Sequence, residues 1–279
     1  MTTKEFISAA LAEDIGTGDH STLASIDASA RGKAVLKIKE AGILAGMEIA
    51  QDIVYHLEPD AQFQLYKNDG DVIVPGETAF EVRARVHTLL QAERLLLNCM
   101  QRMSGIATLT SQYVQRIKGY NATVIDTRKT TPLFRRFEKE AVRLGGGGNH
   151  RMGLYDMVML KDNHIDFCGG IEKAIQKTNQ YLKERALPLK IEVETRNLED
   201  VQRVLATGGV HRIMLDNFEP ALVEEAVVLI NGAFETEASG GIHIDNIVDY
   251  ARTGVDFISI GALTHHAVSL DLSLKARLE

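Results

Sequence analysis

Thr123-Val-Ile-Asp-Thr-Arg-Lys-Thr130 and Met157-Val-Met-Leu-Lys-Asp-Asn-His164 share one pattern: a short apolar run of strand type that ends in charged and polar residues. The pattern recurs at Leu189-Lys-Ile-Glu-Val-Glu-Thr195, Arg212-Ile-Met-Leu-Asp-Asn217, Glu235-Thr-Glu-Ala-Ser-Gly-Gly241 and Phe257-Ile-Ser-Ile-Gly-Ala262. Helical patterns separate these runs, so βα units around a parallel sheet follow. A βα barrel builds its active site at the carboxyl ends of its strands, and an open doubly wound sheet puts ligands at the same edge. Functional groups shared among so many strand ends favour the barrel.

The chain before residue 110 reads differently. Lys33 to Glu40, Gln62 to Tyr66 and Thr78 to Val86 read as strands, with turn signals at Asn68-Asp-Gly70 and Val74-Pro-Gly76. A smaller α+β domain over residues 1–110 is expected, followed by a barrel domain over 111–279 whose tail packs back on the first domain. A helical pattern from His87 to Met103 joins them, with Ser104-Gly105 as a break and a further helix to Lys118.

Composition sets outer limits. The chain has 279 residues, 45% apolar content, 25% charged residues and a net charge of −7. Basic residues are nevertheless concentrated around Gly145 to Gly148, in Arg128-Lys129, Asn149-His150-Arg151 and Lys161. This fits a pocket for a small, highly anionic molecule and excludes a nucleic-acid surface. No apolar run reaches a membrane span, and the first residues lack a secretory core, so a soluble cytoplasmic protein is expected. Cys99 and Cys168 are isolated, which argues against disulfides and structural zinc.

Each cluster has a plain alternative. Arg128-Lys129 alone would read as an exposed ion-pairing couple, and His150 alone as a satisfied imidazole. Three clusters together read as a binding site: arginine forks suit carboxylates, and lysine suits phosphate or alkoxide oxygens. His150 is placed to donate to a carboxylate. One glycine would end the helix Glu138 to Leu144, so four imply a sharp turn or close approach to ligand. Glu194 and Asp216 fit ribose hydroxyls and magnesium, or else they neutralise Lys161 or Arg128. Ser239-Gly240-Gly241 and the Gly261-Ala262-Leu263 turn present backbone N–H groups suited to phosphate.

Taken in order, these stretches closely resemble the quinolinate phosphoribosyltransferase family, also called nicotinate-nucleotide pyrophosphorylase (carboxylating). The carriers are Glu13-Asp-Ile-Gly-x-Gly-Asp19, Ala41-Gly-Ile-x-Ala-Gly46, Glu93-Arg94 with Asn98, Ser104-Gly-Ile-Ala-Thr108, Asp126-Thr-Arg-Lys-Thr130, Gly145-Gly-Gly with Asn149-His-Arg151, and Lys161-Asp-Asn-His164. Glu192-Val-Glu194, Leu215-Asp-Asn-Phe218, Ala238-Ser-Gly-Gly-Ile242 and Ile260-Gly-Ala-Leu-Thr264 continue it through nearly the whole chain.

The resemblance implies an incomplete (β/α) barrel behind an N-terminal α/β domain, in a homodimer whose active sites draw on both chains. It implies transfer of phosphoribosyl from phosphoribosyl pyrophosphate to quinolinate, with loss of carbon dioxide, giving nicotinate mononucleotide for NAD synthesis. By motif position, Arg128, His150, Arg151 and Lys161 bind the quinolinate carboxylates, and Arg94 reaches in from the partner chain. Lys129 faces pyrophosphate. Glu194 and Asp216 take the ribose hydroxyls and Mg2+, directly or through substrate or water. Ser239, Gly240, Gly241, Gly261, Ala262 and Leu263 take the 5′-phosphate. Leu133 departs from the pattern where many members carry glycine, and a changed loop path is expected there.

Three rivals stand beside this reading. One is a barrel aldolase with Lys161 as Schiff-base nucleophile. Another is a homologue of the molybdenum-transport-associated type, which gaps in the carboxylate-binding positions would mark. The third is a silent anion-binding protein.

Overall fold

The computed structural model describes Met1–Leu278, in two compact units. The first gathers Met1–Ser111, Thr131–Gly146 and the segment from His266 onward; the second holds Gln112–Thr130 and Gly147–His265. The barrel domain read from sequence had included Thr131–Gly146. That stretch instead belongs with the first unit, where Phe134 and Phe137 stack on Phe6 with ring centroids 5.6 and 5.0 Å away.

In the first unit, α1 (Thr3–Ile15) opens with a capping box between Thr2 and Glu5, and α2 (His20–Ser25) is capped by Asp19. The strands β1 (Arg31–Ile38) and β2 (Gly42–Ile43) precede α3 (Met47–Leu57). Then come β3 (Gln62–Leu65), β4 (Val72–Ile73), β5 (Thr78–Arg85) and the 31-residue α4 (Val86–Arg116), whose last residues belong to the second unit. Leu89, Leu96, Leu97, Met100 and Met103 of α4 are buried, one apolar face at helical spacing.

Ser104-Gly105 does not break α4. A Cβ on Gly105 would lie 2.0 Å from the Val268 carbonyl oxygen, so glycine is there for close backbone approach. The Ser104 hydroxyl accepts from Ala45 N at 3.0 Å and donates to Ala45 O at 3.1 Å. A pair that reads locally as helix-breaking is therefore a contact surface.

The second unit runs through β6 (Thr123–Ile125), then α5 (Arg135–Leu144), which lies in the first unit, then β7 (Val158–Leu160), α6 (Asp162–Cys168) and α7 (Ile171–Glu184). It continues through β8 (Ile191–Thr195), α8 (Leu198–Thr207), β9 (Arg212–Asp216), α9 (Pro220–Ile230), β10 (Glu235–Ser239), α10 (Ile247–Arg252), β11 (Phe257–Ser259) and α11 (Ala262–His265). The last strand, β12 (Leu272–Leu278), pairs antiparallel with β1, giving the first unit a sheet of order β12-β1-β5-β3.

The second unit's six strands pair in parallel in the order β6-β11-β10-β9-β8-β7. The first strand of the unit lies beside the last, which is the order of a ring and not of a doubly wound sheet. Among the described residues no ladder joins β6 to β7, so the barrel is incomplete; Gly148 bridges Ile125 there.

Gly145 and Gly148, the two ends of the four-glycine run, serve close backbone contacts. Gly145 caps α5, and a Cβ on it would meet the Ala107 carbonyl oxygen at 2.3 Å, while Gly148 donates to Val124 O at 2.8 Å. Leu133 is exposed and holds a φ of 62°, the left-handed region glycine adopts at low cost. A glycine in its place would thus need no different loop path. No helix of the described residues is long and apolar enough to cross a membrane. Cys99 and Cys168 are both free thiols.

Alanine at position 105 should lower stability by ~1–3 kcal/mol through overpacking, although alanine is the better helix former by roughly 1 kcal/mol. Urea unfolding of Gly105→Ala reads this directly. A stabilised variant would show that the close approach to Val268 is not what selects glycine.

Candidate active site

Side chains alternate across a strand, so residues two apart share a face. On β8, β9 and β10 that face carries Glu192 and Glu194, Arg212, Met214 and Asp216, and Glu235, Glu237 and Ser239. The registers set Glu192 beside Arg212, Glu194 beside Met214, and Ser239 beside Asp216. A cavity of about 360 Å³ opens at the carboxyl ends of these strands. Its walls include Arg128, Lys129, His150, Arg151, Lys161, Glu194, Asp216 and Ser239, so the structure brings together residues from six separate stretches of chain.

The rim mixes charge of both signs. Arg128 and Lys129 are exposed beyond β6, whereas Arg151 is buried and its Nη1 donates to Met157 O at 3.2 Å. Burial, then the nearby Arg128 charge, lowers the Arg151 pKa. An anion between the two guanidiniums would relieve both effects. The stem of Lys129 passes Gly261, where a Cβ would stand 3.1 Å from Lys129 Cδ, and Thr264 Oγ1 donates to Lys129 O at 2.8 Å. Lys161 Nζ sits 2.9 Å from Glu194 Oε2. Burial, then the charge of Glu194, raises the pKa of Asp216.

Two carboxylates at neighbouring strand ends, with oxygen as their only donor atom, suit a hard divalent cation. Glu194 and Asp216 therefore fit magnesium chemically.

The Asn149-His150-Arg151 corner is held from below by Asp126, which is fully buried at the end of β6. Its Oδ1 accepts from His150 N at 2.9 Å and its Oδ2 from Asn149 Nδ2 at 2.6 Å. His150 lines the cavity, yet both ring nitrogens are turned to protein groups. Nδ1 accepts from Arg151 N at 2.7 Å, and Nε2 lies 2.9 Å from Glu192 Oε2 and 3.4 Å from Glu237 Oε2. The donation to a substrate carboxylate expected of His150 would compete with these contacts.

Burial opposes charge on His150, while the carboxylates of Glu192 and Glu237 favour it. The Arg151 amide requires a lone pair at Nδ1, which an imidazolium lacks. The additional proton of the group therefore belongs with the carboxylates. Burial, then the Glu237 charge, pushes Glu192 up to about 7. Arg212 completes the group: Nη1 is 2.9 Å from Glu237 Oε2, Nη2 is 3.1 Å from Glu235 Oε2, and the guanidinium stacks 3.9 Å from the Phe257 ring centroid.

Some named residues lie elsewhere. Arg94 is exposed on α4 and does not line this cavity. Gly240, Gly241, Gly261 and Ala262 follow the ends of β10 and β11 without lining the cavity, and Leu263 is a core residue. Gly240 has a φ of 95°, and a Cβ there would meet Asn217 Oδ1 at 2.2 Å. Sequence reasoning missed Met159, Met214 and Glu237 as wall residues and gave Glu192 no role. The two-residue spacing from Glu194 and Ser239 was the signal that could have placed Glu192 and Glu237 inside.

Strand ends that converge on one charged cavity define a βα-barrel enzyme for small anionic substrates. Residues 19–104 match the family model of the quinolinate phosphoribosyl transferase N-terminal domain, and residues 106–275 match that of its C-terminal domain. The chain belongs to the quinolinate phosphoribosyltransferase family. Over 99% of its length it is 45% identical to an Arabidopsis thaliana protein named nicotinate-nucleotide pyrophosphorylase (carboxylating), chloroplastic, of which 83% is covered. It is 44% identical to quinolinate phosphoribosyltransferase (decarboxylating) 1b of Nicotiana tabacum, with the same coverage of both proteins. The crystal structure of NadC from Streptococcus pyogenes superposes with a TM-score of 0.93 at 40% identity, covering 99% of this chain and 96% of that one.

Arg212→Met removes the buried partner of Glu237 and should cost ~3–5 kcal/mol, as breaking one side of a buried pair does. The urea midpoint should fall accordingly. An unchanged midpoint would mean that Glu237 is protonated and does not depend on Arg212.

Proposed function

We propose that this cavity transfers the phosphoribosyl group of phosphoribosyl pyrophosphate to the ring nitrogen of quinolinate and then releases carbon dioxide, yielding nicotinate mononucleotide and pyrophosphate for NAD biosynthesis. The observation that carries the reading is one cavity walled by two arginines, two lysines and two strand-end carboxylates, in a chain of this family.

Arg128 and Arg151 grip the dicarboxylate with their planar forks, and Lys161 meets its remaining oxygens. This grip aims the ring nitrogen at the ribosyl carbon, so proximity supplies much of the acceleration. Lys129 balances charge on the departing pyrophosphate. Glu194 and Asp216 orient the ribose hydroxyls and would hold magnesium, which when bound neutralises charge on the leaving group. Ser239 and the turns at Gly240, Gly241 and Gly261 to Leu263 receive the 5′-phosphate through backbone N–H groups.

As the nitrogen–carbon bond forms, the bond from that carbon to the pyrophosphate oxygen breaks. The quaternised nitrogen then draws in the electron pair of the adjacent carbon–carboxylate bond. Carbon dioxide leaves and the ring carbon takes a proton. A second copy of the chain supplies Arg94 to this cavity, a role that the exposure of Arg94 and its position outside the walls support.

Incubation with quinolinate, phosphoribosyl pyrophosphate and magnesium should yield equal amounts of carbon dioxide and nicotinate mononucleotide, with nicotinate a poor acceptor. Arg128→Ala should raise the quinolinate KM by about tenfold or more, the loss of one charged fork. Glu194→Ala should act on the phosphoribosyl donor instead. Preference for nicotinate, or unchanged constants in both variants, would redirect the assignment.

A further inference from the structure

The barrel interior holds charges that this reaction does not use. Glu192 and Glu237 are fully buried, and with His150 they present ligand atoms all within 4.8 Å of one another. Burying each carboxylate costs several kcal/mol unless a specific partner compensates it. Arg212 compensates Glu237 from one side. Glu192 Oε1 and Oε2 and Glu237 Oε1 have no well-aligned donor. The Nε2 edge of His150 stands 2.9 Å from Glu192 Oε2 and 3.4 Å from Glu237 Oε2.

That edge decides the ring's orientation. With Nε2 turned to the acids, Nδ1 falls on the Arg151 amide at 2.7 Å. A flipped ring would set a C–H against the carboxylates and leave the amide without its acceptor. Asp126 fixes the same corner through the His150 amide at 2.9 Å, so the backbone from 149 to 151 is held on two sides. The direction in which Arg151 enters the cavity is a consequence of that hold.

We propose that Glu192 and Glu237 are positioning residues that clamp His150 from inside the barrel and thereby set where Arg151 meets the substrate dicarboxylate. The inference rests on the reading that Arg128 and Arg151 bind the carboxylates. It makes His150 a strut between the buried acids and Arg151. The same three side chains could hold a divalent metal, but the Arg212 guanidinium 2.9 Å from Glu237 opposes a second cation there.

The test compares Glu192→Gln and Glu237→Gln with Arg128→Ala in the full enzyme, measuring KM for quinolinate and for phosphoribosyl pyrophosphate separately, together with kcat. Both glutamine variants should raise the quinolinate KM about tenfold, the effect of a small misplacement, while the donor KM stays within about twofold. If Arg128→Ala raises that KM and the glutamine variants only lower thermal stability, the acids are merely structural and the proposal fails. If Arg128→Ala leaves it unchanged, the underlying substrate reading fails instead.

A second measurement needs no variant: 15N spectra of histidine-labelled wild-type protein should show His150 protonated at Nε2 and bare at Nδ1. A proton on Nδ1 overturns the clamp, and so does stoichiometric bound metal that is lost in Glu237→Gln.

Discussion

Strand alternation is the constraint on which the rest depends. Once Ile191, Val193, Ile213 and Leu215 pack outward from the ring, Glu192, Glu194, Arg212 and Asp216 have no course but inward. Most barrels fill that interior with branched apolar residues. Here a column of charge runs from Arg212 at the start of β9 to Asp216 at its end. The lower members neutralise one another through Arg212, Glu235 and Glu237. The upper members, Arg128, Arg151, Lys129 and Lys161 against Glu194 and Asp216, stand at the cavity mouth, where a substrate of both carboxylate and phosphate character completes the balance.

This division gives the two layers different duties. In the proposed reaction the rim grips anions, and Arg128 and Lys129 are exposed to do so. The layer below is buried, and in the same proposal it orients the rim. Asp126 illustrates the link: it is fully buried and holds the Asn149-His150-Arg151 corner by accepting from His150 N and Asn149 Nδ2. Preorganisation of this kind is how a fixed scaffold positions reactants without reordering at each turnover.

Much of this was legible from residue order alone. The six strands of the barrel announce themselves as apolar runs ending in chemistry, because strand period and strand-end placement are local signals. The cationic rim followed from the same ends. What local reading could not supply was set by distant contacts. Ser104-Gly105 reads as a break, but Val268, far along the chain, requires glycine within an unbroken helix. Residues 131–146 sit between two barrel strands in sequence, and the Phe6 cluster draws them into the other unit. The contacts of His150 with Glu192 and Glu237 were missed because nothing near it in sequence announces them. Charged residues inside a barrel are rare enough that parity alone was an easy signal to overlook.

A crystal structure with a bound pyridine dicarboxylate tests the central claim most directly, since it asks whether separate strand ends converge on one molecule. The account predicts one carboxylate within hydrogen-bonding distance of both Arg128 and Arg151, with Lys161 on the same ligand. A dicarboxylate seated away from these three residues would contradict it.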